Sequence, residues 1–446
     1  MNLSMSRAGQ STDWLNTANI GDEIYQFASE IYPICRSITG NGVRTTLDRI
    51  SRHIDLQIHE VPTGTQAFDW TVPQEWSIRD AFIKNSAGER VVDFHRCNLH
   101  VVSYSAPVHG FFSLAELKPH LFTLPDQPDL IPYRTSYYQR DWGFCLAHSI
   151  LETLPEDTYE VMIDSSFHDG GLTYGEHFHR GETDQTVLLS THVCHPSMAN
   201  DNCSGIALLT QIAKRMTGIR TRYSYRFLFI PGTIGAVVWL SRNENSLSRV
   251  THGLVVSGVG DAGGPTYKRS RRGNAEIDRV MQHVLRRASP NATMIDFFPY
   301  GYDERQYCSP GFDLPVGLFQ RSRFATYPEY HTSADNLQLI QPCHLAESYR
   351  MVSEALAIIE NNRMLRNLHP KCELQLGRRG LYGPVGGDPS FADRAMGFLW
   401  VLNLADGKHS LLDMAERSGL PFHAIHGAAE QLSAHGLLED IGEAAL

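Results

Sequence analysis

The sequence predicts an α/β fold: a sheet flanked by helices, interrupted by a small β-rich inserted domain and followed by a C-terminal winged-helix domain. Three observations carry this. Between Tyr159 and Ser257 short apolar strands alternate with helical patterns, between Asp55 and Ser136 short alternating runs are broken by turn residues, and beyond Cys372 three helical patterns end on a glycine turn. Strand-then-helix alternation favours a sheet with helices packed on it, whereas closely spaced short runs favour a β-rich unit. The limits that follow are residues 1–54 and 137–371 for the α/β domain, 55–136 for the insertion and 372–446 for the winged helix.

In chain order, a helix is expected from about Ile20 through Ile31, and Thr45, Leu47 and Ile50 suggest a second. The insertion is read from Leu56–Pro62, Asn98–Val102 and Gly110–Leu114, each a short alternating run. Strands of the α/β sheet are then expected at Tyr159–Asp164, Thr186–Ser190, Tyr223–Ile230 and His252–Ser257. Thr186–Ser190 is a short, β-branched and apolar run, as suits a strand buried on both faces, and an apolar helical pattern follows from Ser204 to Ala213. Another helix begins near Leu339. Gly377–Pro384 reads as linker, and Phe398–Ala405, Ser410–Ala415 and Phe422–Leu432 read as the helices of the tail, closed by Gly436–Glu439. The segment Pro421–His435, where a recognition helix would lie, contains no Lys or Arg, whereas duplex affinity depends on such cations. A packing or dimerisation module is expected, and nucleic acid is not an expected partner.

The chemistry concentrates where the strand Thr186–Ser190 ends. Ser190-Thr191-His192-Val193-Cys194-His195-Pro196 is followed by Asn200-Asp201-Asn202-Cys203-Ser204-Gly205, which places two imidazoles and a carboxylate beside a helix N-terminus. In open α/β sheets ligands bind at such strand ends, and histidine nitrogens with carboxylate oxygens are the donors that suit Zn²⁺. A second segment, Tyr327–Asn336, adds His331, with Asp335 near in sequence as a supporting acid. Asp261, just after the His252–Ser257 strand, is a further acid at a strand end.

These motifs resemble those of bacterial proteins with a zinc aminopeptidase-like domain, distant relatives of leucyl aminopeptidases and glutaminyl cyclases. Pro33–Gly40, Phe68–Pro73, Phe229–Gly235, Tyr267–Gly273 and Asp303–Gly311 match in the same order, so the resemblance spans nearly the whole chain. It implies a zinc-aminopeptidase-like sheet with a β-rich insertion and a winged helix. It also implies Zn²⁺ held by His195, Asp201 and His331, with His192 and Asp261 as further candidates. One departure stands out, because the family usually reads Pro-Glu-Thr-Ile-Gly where this chain has Pro231-Gly232-Thr233-Ile234-Gly235. In related metallopeptidases that acid ligates zinc or accepts a proton from water, and Gly232 can do neither. Glu304, in the polar run Tyr302–Gln306, is the expected substitute as proton acceptor or amine-binding acid. Tyr330 is the expected oxyanion donor. Asp303 and Arg305 of the same run, and Arg269 of the basic cluster Lys268–Arg272, are expected to bind substrate.

The function expected is zinc-dependent hydrolysis of an amide bond, in a peptide or in a dedicated substrate of small-molecule or polysaccharide biosynthesis, beside whose genes the family occurs. A non-catalytic binding protein and an acyl-transfer or cyclisation catalyst are the alternatives. Composition agrees with an enzyme that does not seek polyanions: Lys+Arg 39 against Asp+Glu 49 gives a net charge of −10, without a long basic block. Met1–Arg7 lacks an apolar signal core and no run of about eighteen apolar residues occurs, which predicts a cytoplasmic protein without a membrane partner. Eight cysteines without a CxxC fit a reducing compartment, and Cys194 and Cys203 read as packing thiols. A homo-oligomer is among the expected assemblies.

Overall fold

The computed structural model describes residues 18–381 and 389–442. Met1–Arg7 and the linker residues Tyr382–Pro384, singled out from the sequence, lie outside the described residues. The chain divides into two compact units, one ending at Val352 and the other taking up the chain from Ser353.

The larger unit is built on an eight-stranded sheet. Its strands, from one edge to the other, are Gln57–Pro62, Gly171–His179, Ser224–Ile230, Thr186–His192, Val250–Val256, Val316–Gln320, Thr266–Lys268 and Thr293–Ile295. The four strands from Ser224–Ile230 to Val316–Gln320 run parallel, and the flanking pairs at Gln57–Pro62 and Gly171–His179 are antiparallel. All seven residues of Thr186–His192 are buried, as its β-branched, apolar sequence anticipates for a strand covered on both faces. Burial of Val187, Leu188 and Leu189 contributes roughly 1.5–3 kcal/mol each.

From Thr186–His192 the chain passes through helix Gly205–Met216 to the neighbour on one side, Ser224–Ile230. It then passes through helix Ile234–Asn243 to the neighbour on the other side, Val250–Val256. The direction of winding therefore reverses at Thr186–His192, and the crevice for a ligand opens beyond the carboxyl end of that strand. His192 is its last residue.

Two strands fall in sheets other than those expected. Tyr159–Asp164, assigned from sequence to the α/β sheet, lies within strand Thr158–His168 of a separate four-stranded antiparallel sheet with Arg90–Asp93, Glu75–Lys84 and Val108–Ser113. Conversely the Leu56–Pro62 run, assigned to the insertion, supplies the edge strand of the large sheet, pairing with Gly171–His179. The first case has a visible cause: Tyr159, Val161 and Ile163 are buried while Glu160, Met162 and Asp164 are not, the period of a sheet with one wetted face. Asn98–Val102 forms a 3₁₀ turn over Asn98–His100 and not a strand.

The second unit carries helices Pro389–Leu404, Leu411–Ser418 and Phe422–Ala434 and a three-stranded sheet of Asp406–Ser410, Met364–Asn367 and Leu438–Asp440. Ser410 caps the middle helix, its hydroxyl accepting from the Asp413 N–H while the Asp413 carboxylate accepts from the Ser410 N–H. Strand Met364–Asn367, which sequence reading left in the α/β domain, is the centre of this sheet.

Candidate metal centre

Asp201 is fully buried, and three imidazoles converge on it. His192 Nε2 lies 2.8 Å from one carboxylate oxygen, His331 Nε2 3.1 Å from the other, and His195 Nδ1 3.9 Å from the first. One donor atom each from His192, His195 and Asp201 lies within 4.8 Å of the others. Ligands held by zinc at about 2.0–2.2 Å stand roughly 3–4 Å apart, so the donor set suits that ion in type, and the separations of the imidazoles from Asp201 are close to that spacing. His195 Nδ1 is buried and has no hydrogen-bond partner among the described residues, which suits a donor kept for a ligand. The protonation states agree. Burial holds His195 well below the usual imidazole range, while the surrounding imidazoles, two of which hydrogen-bond its oxygens, hold Asp201 well below the usual carboxylate range despite its own burial.

The surroundings fix these groups in place. Asp335 accepts the backbone N–H of Asn200 (2.6 Å) and of Asp201 (3.0 Å), so it orients the Asp201 segment and not His331, near which the sequence placed it. Asn202 donates to Thr191 Oγ1 and to the His192 carbonyl, binding the turn back onto the strand end. Arg36, 1% exposed, donates to the His195 carbonyl at 2.8 Å, to the Ile31 carbonyl and to the Cys203 sulfur. His331 adopts φ +53°, a left-handed conformation that a histidine holds only when its neighbours impose it. The segment Ile131–Tyr133 imposes it: the Tyr133 N–H donates to the His331 carbonyl, and Ser333 and Ile131 exchange two further bonds.

Aromatic rings enclose the cluster. Tyr302 stacks on His192 with centroids 4.9 Å apart, Tyr330 stacks on His331 at 4.0 Å, and Tyr133 meets His195 and His331 edge-on at 5.2 and 5.1 Å. His331 remains 32% exposed, so the cluster is reached from its side. Tyr133, Tyr302 and Arg36 escaped sequence reading. Arg36 lies in the matched stretch Pro33–Gly40 and Tyr302 in the polar run beside Asp303, which were the available signals.

The remaining expected site residues divide sharply. Asp261 is not brought to the cluster: its oxygens accept from Asn200 Nδ2 (2.7 Å), Ser322 Oγ (2.6 Å) and the Gly263 N–H (2.6 Å), which makes it a brace for the Asn200 turn. Arg269 turns away, to the Gly273 carbonyl, Gln282 and Asp296. Glu304 is spent on a fully buried ion pair with Lys268 at 2.8 Å, while Lys268 also donates to the Tyr300 carbonyl. Arg305 lies over the Tyr300 ring, with its Nε buried and unpartnered among the described residues. Asp303 is different. It is fully buried, neither carboxylate oxygen has a partner among the described residues, and burial pushes its pKa up to about 7 against the pull of His192. A β carbon placed on Gly232 would stand 3.1 Å from the His192 Cβ and 3.5 and 3.6 Å from the two Asp303 oxygens. Cys194 is buried with its thiol pushed up to about 12 by burial, and Cys203 is held by Arg36, so both pack and neither is poised as a thiolate.

Comparison with known proteins agrees with this architecture. Residues 25–362 match the family described as a domain of unknown function, DUF4910, and residues 363–440 match a winged helix-turn-helix family. A Clostridium acetobutylicum protein, provisionally named a polysaccharide biosynthesis protein with an aminopeptidase-like domain, is 53% identical over 94% of this chain and 96% of its own length. A crystal structure of a provisionally assigned peptidase from Clostridium acetobutylicum superposes with a TM-score of 0.90 at 52% identity, covering 94% of this chain and 96% of that one. The zinc aminopeptidase BSAP of Bacillus subtilis shares the fold with a TM-score of 0.58 at 12% identity, over 76% of this chain and 94% of that one. With both matches spanning the two units and a close relative along nearly its whole length, this chain belongs to the DUF4910 family, an aminopeptidase-like α/β domain followed by a winged helix.

Proposed function

We propose that this protein is a zinc-dependent hydrolase of an amide bond, with His192, His195, Asp201 and His331 as the metal-holding residues. The observation that carries the reading is the convergence of three imidazoles on one buried, ionised carboxylate at the strand end where ligands bind in this class of sheet. A zinc ion held there supplies Lewis acidity, which polarises an amide carbonyl and makes water a nucleophile near neutral pH. The protein's own groups supply the rest. Tyr302, Tyr330 and Tyr133 exclude bulk water from the imidazoles, and burial holds the Tyr330 phenol well above its usual range, so it stays protonated and able to donate to a developing oxyanion.

The relative's provisional name, a polysaccharide biosynthesis protein with an aminopeptidase-like domain, supports a dedicated amide substrate of such biosynthesis as a substrate class beside peptides. Gly232 favours a second reading, a binding protein on a peptidase scaffold, since it lacks the side chain that the resemblance leads one to expect there. Metal analysis of the purified protein, with a diffraction map at the zinc absorption edge, tests the first reading. Zinc at roughly one ion per chain on these residues is expected. Zinc-free protein that also fails to take up added zinc would leave the second reading ahead.

A further inference from the structure

We infer that Asp303 is the proton acceptor of this site, filling from another loop the role that an acid at position 232 would have had. The inference deepens the hydrolase reading above and rests on it. It starts from space: a side chain growing from Gly232 would meet the Asp303 carboxylate almost at once, both oxygens lying 3.5–3.6 Å from the β carbon such a residue would carry. The two positions therefore serve one volume, bordered by the His192 side chain 3.1 Å away. Glycine at 232 leaves that volume to Asp303.

Its hydrogen bonding gives the second argument. A fully buried carboxylate is normally paired, because leaving it bare costs several kcal/mol. Asp303 has no partner on either oxygen among the described residues, whereas the adjacent Glu304 has Lys268 on its Oε1 and only its Oε2 bare. That contrast also decides between the two acids. Glu304 serves as an anchor: with Lys268 bonded to both Glu304 and the Tyr300 carbonyl, the segment 300–304 is fixed to strand Thr266–Lys268, and Tyr302 is stacked on His192. Asp303, between Tyr302 and Glu304, is held with little freedom and two vacant acceptor positions.

The step balances within this set. Water oxygen bonds to the amide carbonyl carbon, and its proton passes to an Asp303 oxygen. The same proton then moves from Asp303 to the amide nitrogen as the C–N bond breaks, giving a carboxylic acid and an amine with the aspartate restored.

The test uses full-length protein of measured zinc content, leucine 4-nitroanilide as the probe amide, and the variants Asp303→Asn, Gly232→Glu and their combination. Asp303→Asn is expected to retain zinc and lose about 10²-fold or more in kcat, the usual contribution of a positioned base. The double variant should recover at least tenfold over Asp303→Asn, because it returns an acid to the same volume. Infrared difference spectra between pH 5 and pH 9 provide a readout independent of turnover. A buried carboxylic acid signal that titrates in the wild type and vanishes in Asp303→Asn is expected. Unchanged kcat in Asp303→Asn, loss of its zinc, or absence of that infrared signal would each overturn the assignment. Failure of zinc-loaded wild type to cleave the probe counts against the hydrolase reading alone, and the infrared comparison still decides the state of Asp303.

Discussion

At the scale of single residues, the histidines and Asp201 were legible because metal chemistry needs particular donors at strand ends, and a sequence displays both. The adjacent acids were not. Asp303 and Glu304 open one short helix, Glu304–Tyr307, and only the fold reveals that one faces Lys268 while the other faces the space above Gly232. The assignment proposed above exchanges the roles expected of them and yields two predictions. Glu304→Gln should act on stability, costing roughly 3–5 kcal/mol in denaturant unfolding because it strands a buried lysine, and Lys268→Met combined with it should recover much of that loss. Full stability of Glu304→Gln alone would show that the ion pair contributes nothing. The second concerns pH. Asp303 titrates at about 7 in the folded protein and near 3.9 unfolded, so the folded state binds the extra proton between those values. Its favourable contribution is complete below about pH 3.9 and is lost as pH rises through 7. In metal-free protein, Asp303→Asn should therefore raise the melting temperature relative to wild type at pH 8, by roughly 2–4 °C for each kcal/mol relieved, and leave it unchanged at pH 4. Equal melting curves at both pH values would refute the shifted titration.

Among the elements, strand Thr186–His192 was legible from its apolar run, whereas Thr158–His168 was placed in the wrong sheet because a single strand does not name its partners. Its alternation was the overlooked clue, since a central strand of the large sheet, such as Thr186–His192, is buried along its whole length. The segment Ile131–Tyr133 was harder still. Nothing local in it signals chemistry, yet it sets the backbone of His331 from about two hundred residues away, through the bonds between Tyr133 and His331 and between Ile131 and Ser333. If the Tyr133 ring, set edge-on against His195 and His331, supports those two ligands beside the backbone splint, Tyr133→Ala should weaken zinc binding by about tenfold or more, as loss of an outer support to a metal ligand does. Tyr133→Phe, which keeps the ring against His195 and His331, should bind zinc nearly as the wild type. Competition with a chromogenic chelator measures both, and equal affinities for Tyr133→Ala and wild type would remove the Tyr133 ring from the site's support.

For the molecule as a whole, the second unit raises the question of what a winged helix does on an enzyme-like chain. Its expected groove-reading helix, Phe422–Ala434, has no Lys or Arg and carries Glu430. Strand Leu438–Asp440, in the place of a wing, is acidic, and the arginines near it are engaged: Arg363 with Asp440 at 3.3 Å and Arg366 with Glu439 at 3.6 Å. Duplex DNA presents about one negative charge per 1.7 Å, and neutralising it is the main source of affinity, so this face lacks what the interaction requires. Truncation must respect the sheet: because Met364–Asn367 is the central strand, cutting near residue 376 would leave the sheet without its middle, and the fragment must begin at or before Arg363. A fragment of residues 363–446 is expected to show only weak duplex binding at 150 mM salt, no tighter than the roughly 10⁻⁴–10⁻⁶ M of nonspecific contacts, with a shallow salt dependence and no preferred sequence. Fluorescence anisotropy on random and enriched duplexes measures all three. Sequence-selective binding that falls steeply with salt would mean that cations outside Phe422–Ala434 form the contact, and it would return nucleic acid to the partners of this protein.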